Sequence, residues 1–109
     1  MGARTMAQTF DGAQFPDAIR FTLGGSNVAT QVVIPQTASK VTVKFSTNAG
    51  KIAFEGTDGG AINANFADIV GDAFAELSLS DGIREAKGVG SIFLASATAS
   101  TVCTCIIEG

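Results

Sequence analysis

The chain has 109 residues and a net charge of −3; 46% of the residues are hydrophobic, 16% are charged, and none is His, Trp or Tyr. The length indicates a single domain, and the absence of histidine excludes His-based triads, His-ligated metals and imidazole acid–base chemistry. The negative charge argues against a nucleic-acid partner. We also expect no membrane partner, because no apolar run reaches the roughly 18 residues that span a bilayer and no secretion-signal pattern opens the chain.

The first 18 residues differ from the rest of the chain. Met6, Phe10 and Phe15 are spaced irregularly among polar residues and fit neither a strand nor a helix period. Such a stretch at the end of a monomeric domain is commonly disordered unless contacts hold it. We therefore predict an N-terminal arm or edge segment over residues 1–18, which could lie on a neighbouring subunit, and a β-sandwich domain over 19–109.

From residue 19 onward, short runs of alternating apolar and polar residues recur about every ten residues, as in antiparallel sandwiches and barrels. The positions predicted to face the core include Ile19, Phe21, Leu23, Val41, Val43, Phe45, Ile52, Phe54, Leu77 and Leu79. Residues 48–50 carry the Asn and Gly of a tight hairpin. That hairpin would place Lys51 on the strand beside Lys40 and Lys44.

Two segments depart from this alternation. In 58–71, Ile62, Phe66 and Ile69 follow a helical spacing, which predicts a long crossover loop with one helical turn. The last strand, over 100–108, is apolar on both faces, which indicates a central strand or one covered on its second side. The whole pattern predicts an all-β fold: a single antiparallel β-sandwich, jelly-roll-like, of seven to eight strands.

The two cysteines are the most conspicuous chemical pair. Cys103 and Cys105 share one face of a strand, where side chains two residues apart lie about 6.5–7 Å apart, beyond comfortable disulfide reach. Two thiolates without histidine do not complete a tetrahedral zinc site. We interpret both as small buried apolar residues of a reduced compartment; an intersubunit metal or disulfide is the alternative.

The acidic and amide residues give no catalytic constellation. Oxygen-bearing side chains cluster at Asp58, Asn63, Asn65 and Asp68. Their spacing does not match a calcium-binding EF-hand loop, and such residues commonly form turns by bonding their own backbone. A carboxylate pair would need a cleft that separates the two pKa values, for which a small sandwich has little room. We predict no enzyme activity and no catalytic, cofactor-binding or metal-binding residue.

The low charge content is the positive signal. Ordinary globular domains carry about 25% charged residues, whereas here Ala, Gly, Thr and Ser replace many of them and the mean hydropathy is +0.33. A small, neutral surface is cheap to desolvate and favours burial against other subunits, although it also fits a compact domain with a Ser/Thr surface. We predict a homo-oligomer. The candidate interface residues are Met6, Phe10, Phe15, Lys40, Lys44 and Lys51.

Charge is also uneven along the chain. Residues 1–55 carry five basic and three acidic side chains, a balance of +2, and residues 56–109 carry two basic and seven acidic ones, a balance of −5. If the two halves formed different sides of the fold, a head-to-tail ring would bring opposite charges together. If the halves interleave in one sandwich, the asymmetry averages out.

Two runs carry a resemblance: TQVVIPQTASKVTVKFSTNAGKIAFEGT and GVGSIFLASATASTVCTCIIEG. They are similar to small all-β virion proteins of tailed bacteriophages, and the resemblance covers about two-thirds of the chain. It implies a β-sandwich that decorates or cements a capsid, or sits in the tail or neck, and it carries over no functional residue.

The leading hypothesis is a non-enzymatic structural protein of a phage particle, a capsid decoration or cement protein. It would stabilise the shell as a homo-oligomer, for example a trimer. Its partners would be further copies of itself and a major capsid protein or another virion protein. Its location would be the virion, assembled in the host cytoplasm.

Two other classes remain open. A tail, neck, fibre or baseplate recognition module, including one that binds carbohydrate, would use the same fold. The absence of Trp and Tyr, the usual sugar-stacking residues, argues against it. A host-encoded cytosolic adaptor is the third class, and co-purification with intact particles would separate it from both viral classes.

Overall fold

A computed structural model describes residues 8–9, 16–34, 38–78 and 91–108. These residues form nine strands and contain no helix. In chain order the strands are β1 (Gln8–Thr9), β2 (Asp17–Thr22), β3 (Thr30–Val33), β4 (Lys40–Phe45), β5 (Gly50–Ala53), β6 (Phe66–Ile69), β7 (Phe74–Ser78), β8 (Ser91–Ala95) and β9 (Val102–Glu108). The predicted all-β class is confirmed.

The strands form two sheets packed as a sandwich. One sheet has the order β2-β9-β4-β7 and is antiparallel throughout. The other has the order β1-β3-β8-β5-β6; it is antiparallel except for the two-residue β1, which pairs in parallel with β3. The eight longer strands agree with the predicted seven to eight. Four of the antiparallel pairs are nested in sequence, since β5 pairs with β6, β4 with β7, β3 with β8 and β2 with β9.

The core lies between the sheets and follows the predicted alternation. On β4, Val41, Val43 and Phe45 are completely buried, because successive side chains point to opposite sides of a pleated strand. Ile107 and both cysteines play the same part on β9. The prediction of a central last strand is confirmed, since β9 lies between β2 and β4. Burial of each large apolar side chain contributes about 1.5–3 kcal/mol.

The predicted hairpin at 48–50 is wrong. The strands on either side of it belong to different sheets, so the turn carries the chain across the end of the core. Gly50 lies against the buried ring of Phe45, and a Cβ atom at Gly50 would overlap that ring. Polar bonds anchor the turn, because Ser96 Oγ donates to the Ala49 carbonyl oxygen at 2.7 Å and Asn48 Nδ2 donates to Thr101 Oγ1 at 3.3 Å.

The helical turn expected within 58–71 is also wrong. Phe66–Ile69 is strand β6, which pairs with β5 at the edge of its sheet. Three of its four residues are exposed, so its side chains leave no core-facing alternation in the sequence.

Several predictions concern residues outside the described ranges. Met6, Phe10 and Phe15 are among them, as is Leu79. Within the predicted arm, the structure describes the two residues of β1 and residues 16–18, and β2 begins at Asp17. The described part of the chain holds no helix of the length and apolarity that crossing a bilayer requires.

Candidate functional site

The lysines predicted to form an interface lie on two different faces of the sandwich. Lys40 and Lys44 alternate with buried residues of β4 and so lie on the outer side of the four-stranded sheet. Lys51 lies on the outer side of the other sheet, since its neighbour Ile52 is buried in the core. The expectation that Lys51 adjoins Lys40 and Lys44 is wrong, because β5 does not pair with β4.

Lys40 has two acidic neighbours. Its Nζ lies 3.7 Å from Glu76 Oε2 and 3.5 Å from Glu108 Oε2. All three side chains are at least one-third exposed, so each pair contributes little to stability. The group concentrates charge at the end of the sheet where β9 ends and β4 begins.

The other two lysines each lie over a phenylalanine ring. Lys44 Nζ is 5.4 Å from the centre of the Phe74 ring, and Lys51 Nζ is 4.7 Å from that of Phe66. Both distances are within the range of a cation–π contact. Lys51 Nζ also donates to Asn27 Oδ1 at 2.8 Å. Both ammonium groups therefore already have partners within the chain.

Part of the outer side of the five-stranded sheet, around Phe93, is covered by the chain itself, and we call this part the covered face. Ala29, Ala53 and Phe93 form a small second core there, and Ile62 packs against it. The covering segment is 54–65. Phe93 is consequently 7% exposed although it points away from the main core.

Backbone bonds hold the covering segment in place. Ala29 exchanges two of them with it: its N–H donates to the Gly60 oxygen at 2.8 Å, and its own oxygen accepts from Gly59 N at 2.8 Å. Ile62 N donates to the Asn27 oxygen at 2.9 Å. These bonds satisfy backbone groups that the small second core would otherwise leave unpaired.

Two of the residues considered as calcium ligands bond to the backbone. Asn63 Oδ1 accepts a hydrogen bond from Asn65 N at 2.8 Å, a local turn of the predicted kind. Asp58 Oδ1 instead accepts one from Gln31 N at 2.9 Å and so ties the loop to β3. Within the described ranges, no three Asp, Glu or Cys side chains lie close enough to hold a metal ion.

The outer side of the four-stranded sheet is different, and we call it the open face. Its residues are Ala18, Arg20, Thr22, Lys40, Thr42, Lys44, Phe74, Glu76, Val102, Thr104, Ile106 and Glu108. Along the central strand β9 the outward residues from 102 to 106 are uncharged and partly exposed, with Arg20 and Lys44 on either side of Thr104. A central strand with apolar outward side chains is unusual on a solvated sheet, where the outward positions are normally polar.

Exposed large apolar side chains concentrate at one side of the sandwich. Three of the four in the described residues lie between the start of β6 and the start of β7, with Phe66 at 37%, Val70 at 74% and Phe74 at 63% exposure; the fourth is Val33. Sequence reasoning missed this concentration. The signal was available as three large apolar residues, Phe66, Val70 and Phe74, spaced four apart.

The thiols are buried and chemically quiet. Cys103 and Cys105 are free, and both face the core. Burial raises the pKa of Cys105 to about 12. The pKa of Cys103 is raised further, mainly by burial and also by the neighbouring Cys105. Both remain protonated near neutral pH, whereas reactive cysteines are thiolates, which agrees with their interpretation as small buried residues.

The two halves of the chain interleave in both sheets. The four-stranded sheet places β2 and β4 beside β7 and β9, and the other places β3 and β5 beside β6 and β8. The charge difference between the halves is therefore not a difference between two sides of the molecule. Compared with protein-family models, curated proteins and solved structures, the chain gives no match.

Proposed function

We propose that this chain is a non-enzymatic structural protein of a phage particle, a capsid decoration or cement protein that assembles with copies of itself and with a virion protein. The proposal starts from the resemblance to small all-β virion proteins. The open face is the structural observation that supports it best.

The open face has the properties of a surface that is buried on assembly. Val102, Thr104 and Ile106 lie along its central strand and are partly exposed. Ile106 lies between Ala18 and Thr42, so covering it requires no directly opposite charged group to lose its water. The charged groups nearest to these residues are Arg20 and Lys44, on the two strands beside β9. An apolar centre with charges around it is the usual arrangement of protein–protein interfaces.

We further infer a jelly-roll topology for the sandwich. The support is the set of four nested antiparallel pairs, from β5·β6 at the middle to β2·β9 at the outside. Nested pairs that alternate between two sheets are what results when one long double-stranded ribbon is rolled around a core. Viral capsid and lectin domains share this architecture. The topology therefore fits the virion role and the recognition-module alternative equally. Only the residues on the surface can distinguish between these two functions.

Attachment would use the N-terminal residues Met6, Phe10 and Phe15. Each phenylalanine buried on a partner would contribute about 1.5–3 kcal/mol, and many copies acting together would add avidity. Since β2 begins at Asp17, a deletion of residues 1–15 leaves β2 in place. It should abolish attachment to particles while the core of the sandwich still folds.

The test is to detect the chain in purified particles of a phage that encodes it, by mass spectrometry, and to add purified protein to particles that lack it. The expected result is binding at a fixed number of copies, lost in the Ile106→Glu variant of the open face. Val33→Glu is the matched control, because Val33 is 38% exposed on the other sheet, and it should bind normally. Absence from the particles, or glycan binding without particle binding, would contradict the proposal.

A further inference from the structure

The two edges of the four-stranded sheet match each other. β2 forms one edge and β7 the other, and in the described part of the chain neither has a strand on its outer side. An unpaired edge carries a row of free N–H and C=O groups that can pair with another chain. We propose that β7 of one copy pairs with β2 of a second copy, head to tail, with Glu76 directly opposite Arg20.

The hydrogen bonds show which backbone groups are free on β2. In the register of the β2·β9 ladder, Leu23 N donates to the Thr101 oxygen at 2.8 Å. Hydrogen-bonded pairs alternate along an antiparallel ladder, so Ile19 and Phe21 bond to β9 and the groups of Arg20 point away from it. Consistently, Ala18 N has no ladder partner and donates to the Asp17 carboxylate at 2.8 Å.

The same counting identifies the free groups of β7. Ser46 N donates to the Val102 oxygen at 2.8 Å and continues the β4·β9 register. Val41 and Val43 therefore direct their backbone groups to β7, where they face Leu77 and Ala75. The backbone groups of the intervening Glu76 then point to the free edge.

Backbone pairing and side-chain placement agree in a single register. β7 runs antiparallel to β2, because three antiparallel pairs separate them. A second copy in the same orientation therefore presents β2 antiparallel to β7. Placing Glu76 opposite Arg20 aligns free backbone groups on both strands. The remaining pairs would then be Phe74 with Thr22, Ala75 with Phe21, Leu77 with Ile19, and Ser78 with Ala18.

This register covers apolar surface on both sides of the extended sheet. Phe74, 63% exposed in the single chain, would lie beside Thr22 of the second copy. On the inner side, Ala75 and Leu77 would adjoin Phe21 and Ile19. Three of these four, Ile19, Ala75 and Leu77, are only partly buried at the margins of the core. The pairing would join the two cores along their open margins.

Charge selects this pairing over the symmetric ones. Two β7 edges paired by a twofold axis over all of their free backbone positions would place Glu76 opposite Glu76, and two β2 edges paired in the same way would place Arg20 opposite Arg20. Like charges directly opposite destabilise a ladder, whereas opposite charges stabilise it. Arg20 is exposed and forms no salt bridge with another described residue. The contact is therefore head-to-tail, and it closes into a ring if the rotation between copies permits.

The experiment measures the mass of the full-length protein by light scattering over a concentration series. This inference rests on the proposed function, because both require copies of the chain to associate with each other. Arg20→Glu and Glu76→Arg should each raise the concentration at which assemblies half-dissociate by about tenfold or more, because each places like charges opposite. The double variant, which exchanges the two charges, should recover the wild-type midpoint. Circular dichroism checks that every variant is folded.

Glu108→Arg is the matched control. It reverses another acidic neighbour of Lys40, but it lies on the central strand β9, so the midpoint should not move. A wild-type assembly whose midpoint is unchanged in both single variants would overturn the edge pairing and leave self-assembly intact. A double variant as weak as the single ones would also overturn it. A wild-type protein that is monomeric at every concentration would overturn self-assembly itself.

Discussion

Strands β8 and β9 both carry apolar side chains on two sides, yet their outer sides differ in exposure. Every residue of β8 is buried, because segment 54–65 covers its outer side around Phe93. On β9 the outward residues stay partly exposed while the inward ones are buried. On β8 the same chain therefore covers the second apolar side, and on β9 we propose that a partner does so.

The largest effect should come from the covered face. Phe93→Ala removes the only large side chain among the three buried residues of the second core, and it should lower the free energy of unfolding by about 3–5 kcal/mol. Ile106→Ala, on the open face, should cost less, about 1–2 kcal/mol in the monomer, because the Ile106 side chain is only partly buried. Urea denaturation at low protein concentration measures both. Equal losses would remove the distinction between the two faces.

A smaller effect should distinguish the inward-facing side chains of β9 from the outward-facing ones. Burial holds the pKa of Cys105 at about 12, above the 9.0 of a free thiol, so the folded state retains a proton that the unfolded state loses. The resulting stability is complete below pH 9 and is lost as the pH rises toward 12, by about 3 kcal/mol at pH 11. Denaturation midpoints at pH 8, 10 and 11 measure it.

The control for this prediction is Cys105→Val, which removes the titrating group and should show a shallower decline between pH 9 and 11. A Thr104→Cys substitution on the open face provides the contrast. Its thiol should react with a thiol reagent in the folded protein, while the native cysteines should not. Rapid labelling of native Cys105 without unfolding would contradict the buried geometry.

The smallest effect concerns a buried hydroxyl group between the two sheets. Thr30 is completely buried, and its hydroxyl has no hydrogen-bond partner among the residues that the structure describes. Thr30→Val keeps the shape and removes the unsatisfied hydroxyl, so it should stabilise the protein by about 1 kcal/mol. Thermal denaturation measures this gain. Thr104→Val, a partly exposed site on the open face, is the control and should change the melting temperature less; a loss of stability in Thr30→Val would show that the hydroxyl is satisfied.

The sequence predicted those parts of the fold where side chains alternate. Val41, Val43 and Phe45 left a clear period of two, and the two-sided β9 was correctly predicted to be central. The turn at 48–50 was mistaken for a hairpin, because a chain crossing between sheets and a hairpin use the same local residues. The packing of Gly50 against Phe45 is a tertiary contact that leaves no pattern in the local sequence.

The candidate site was predictable only in part. The placement of Lys40 and Lys44 on one outer face follows from strand alternation. The partners of Lys44 and Lys51 do not, since Phe74 and Phe66 reach them through strand pairings that no local pattern encodes. The burial of Phe93 on the covered face was not predicted, because nothing local indicates that segment 54–65 folds back over a sheet.

The nested pairing also sets the order in which the strands can pair as the chain is synthesised. A chain is made from its N-terminus, so the inner pair β5·β6 can form early, whereas β2 must wait for β9, its only neighbour among the described strands. Until β9 is made, β2 has no place in the sheet and β4 lacks a neighbour on one side. Contacts this distant in sequence slow folding. The edges proposed to join copies are thus presented together only after β9 has inserted, so the proposed assembly would have to follow folding.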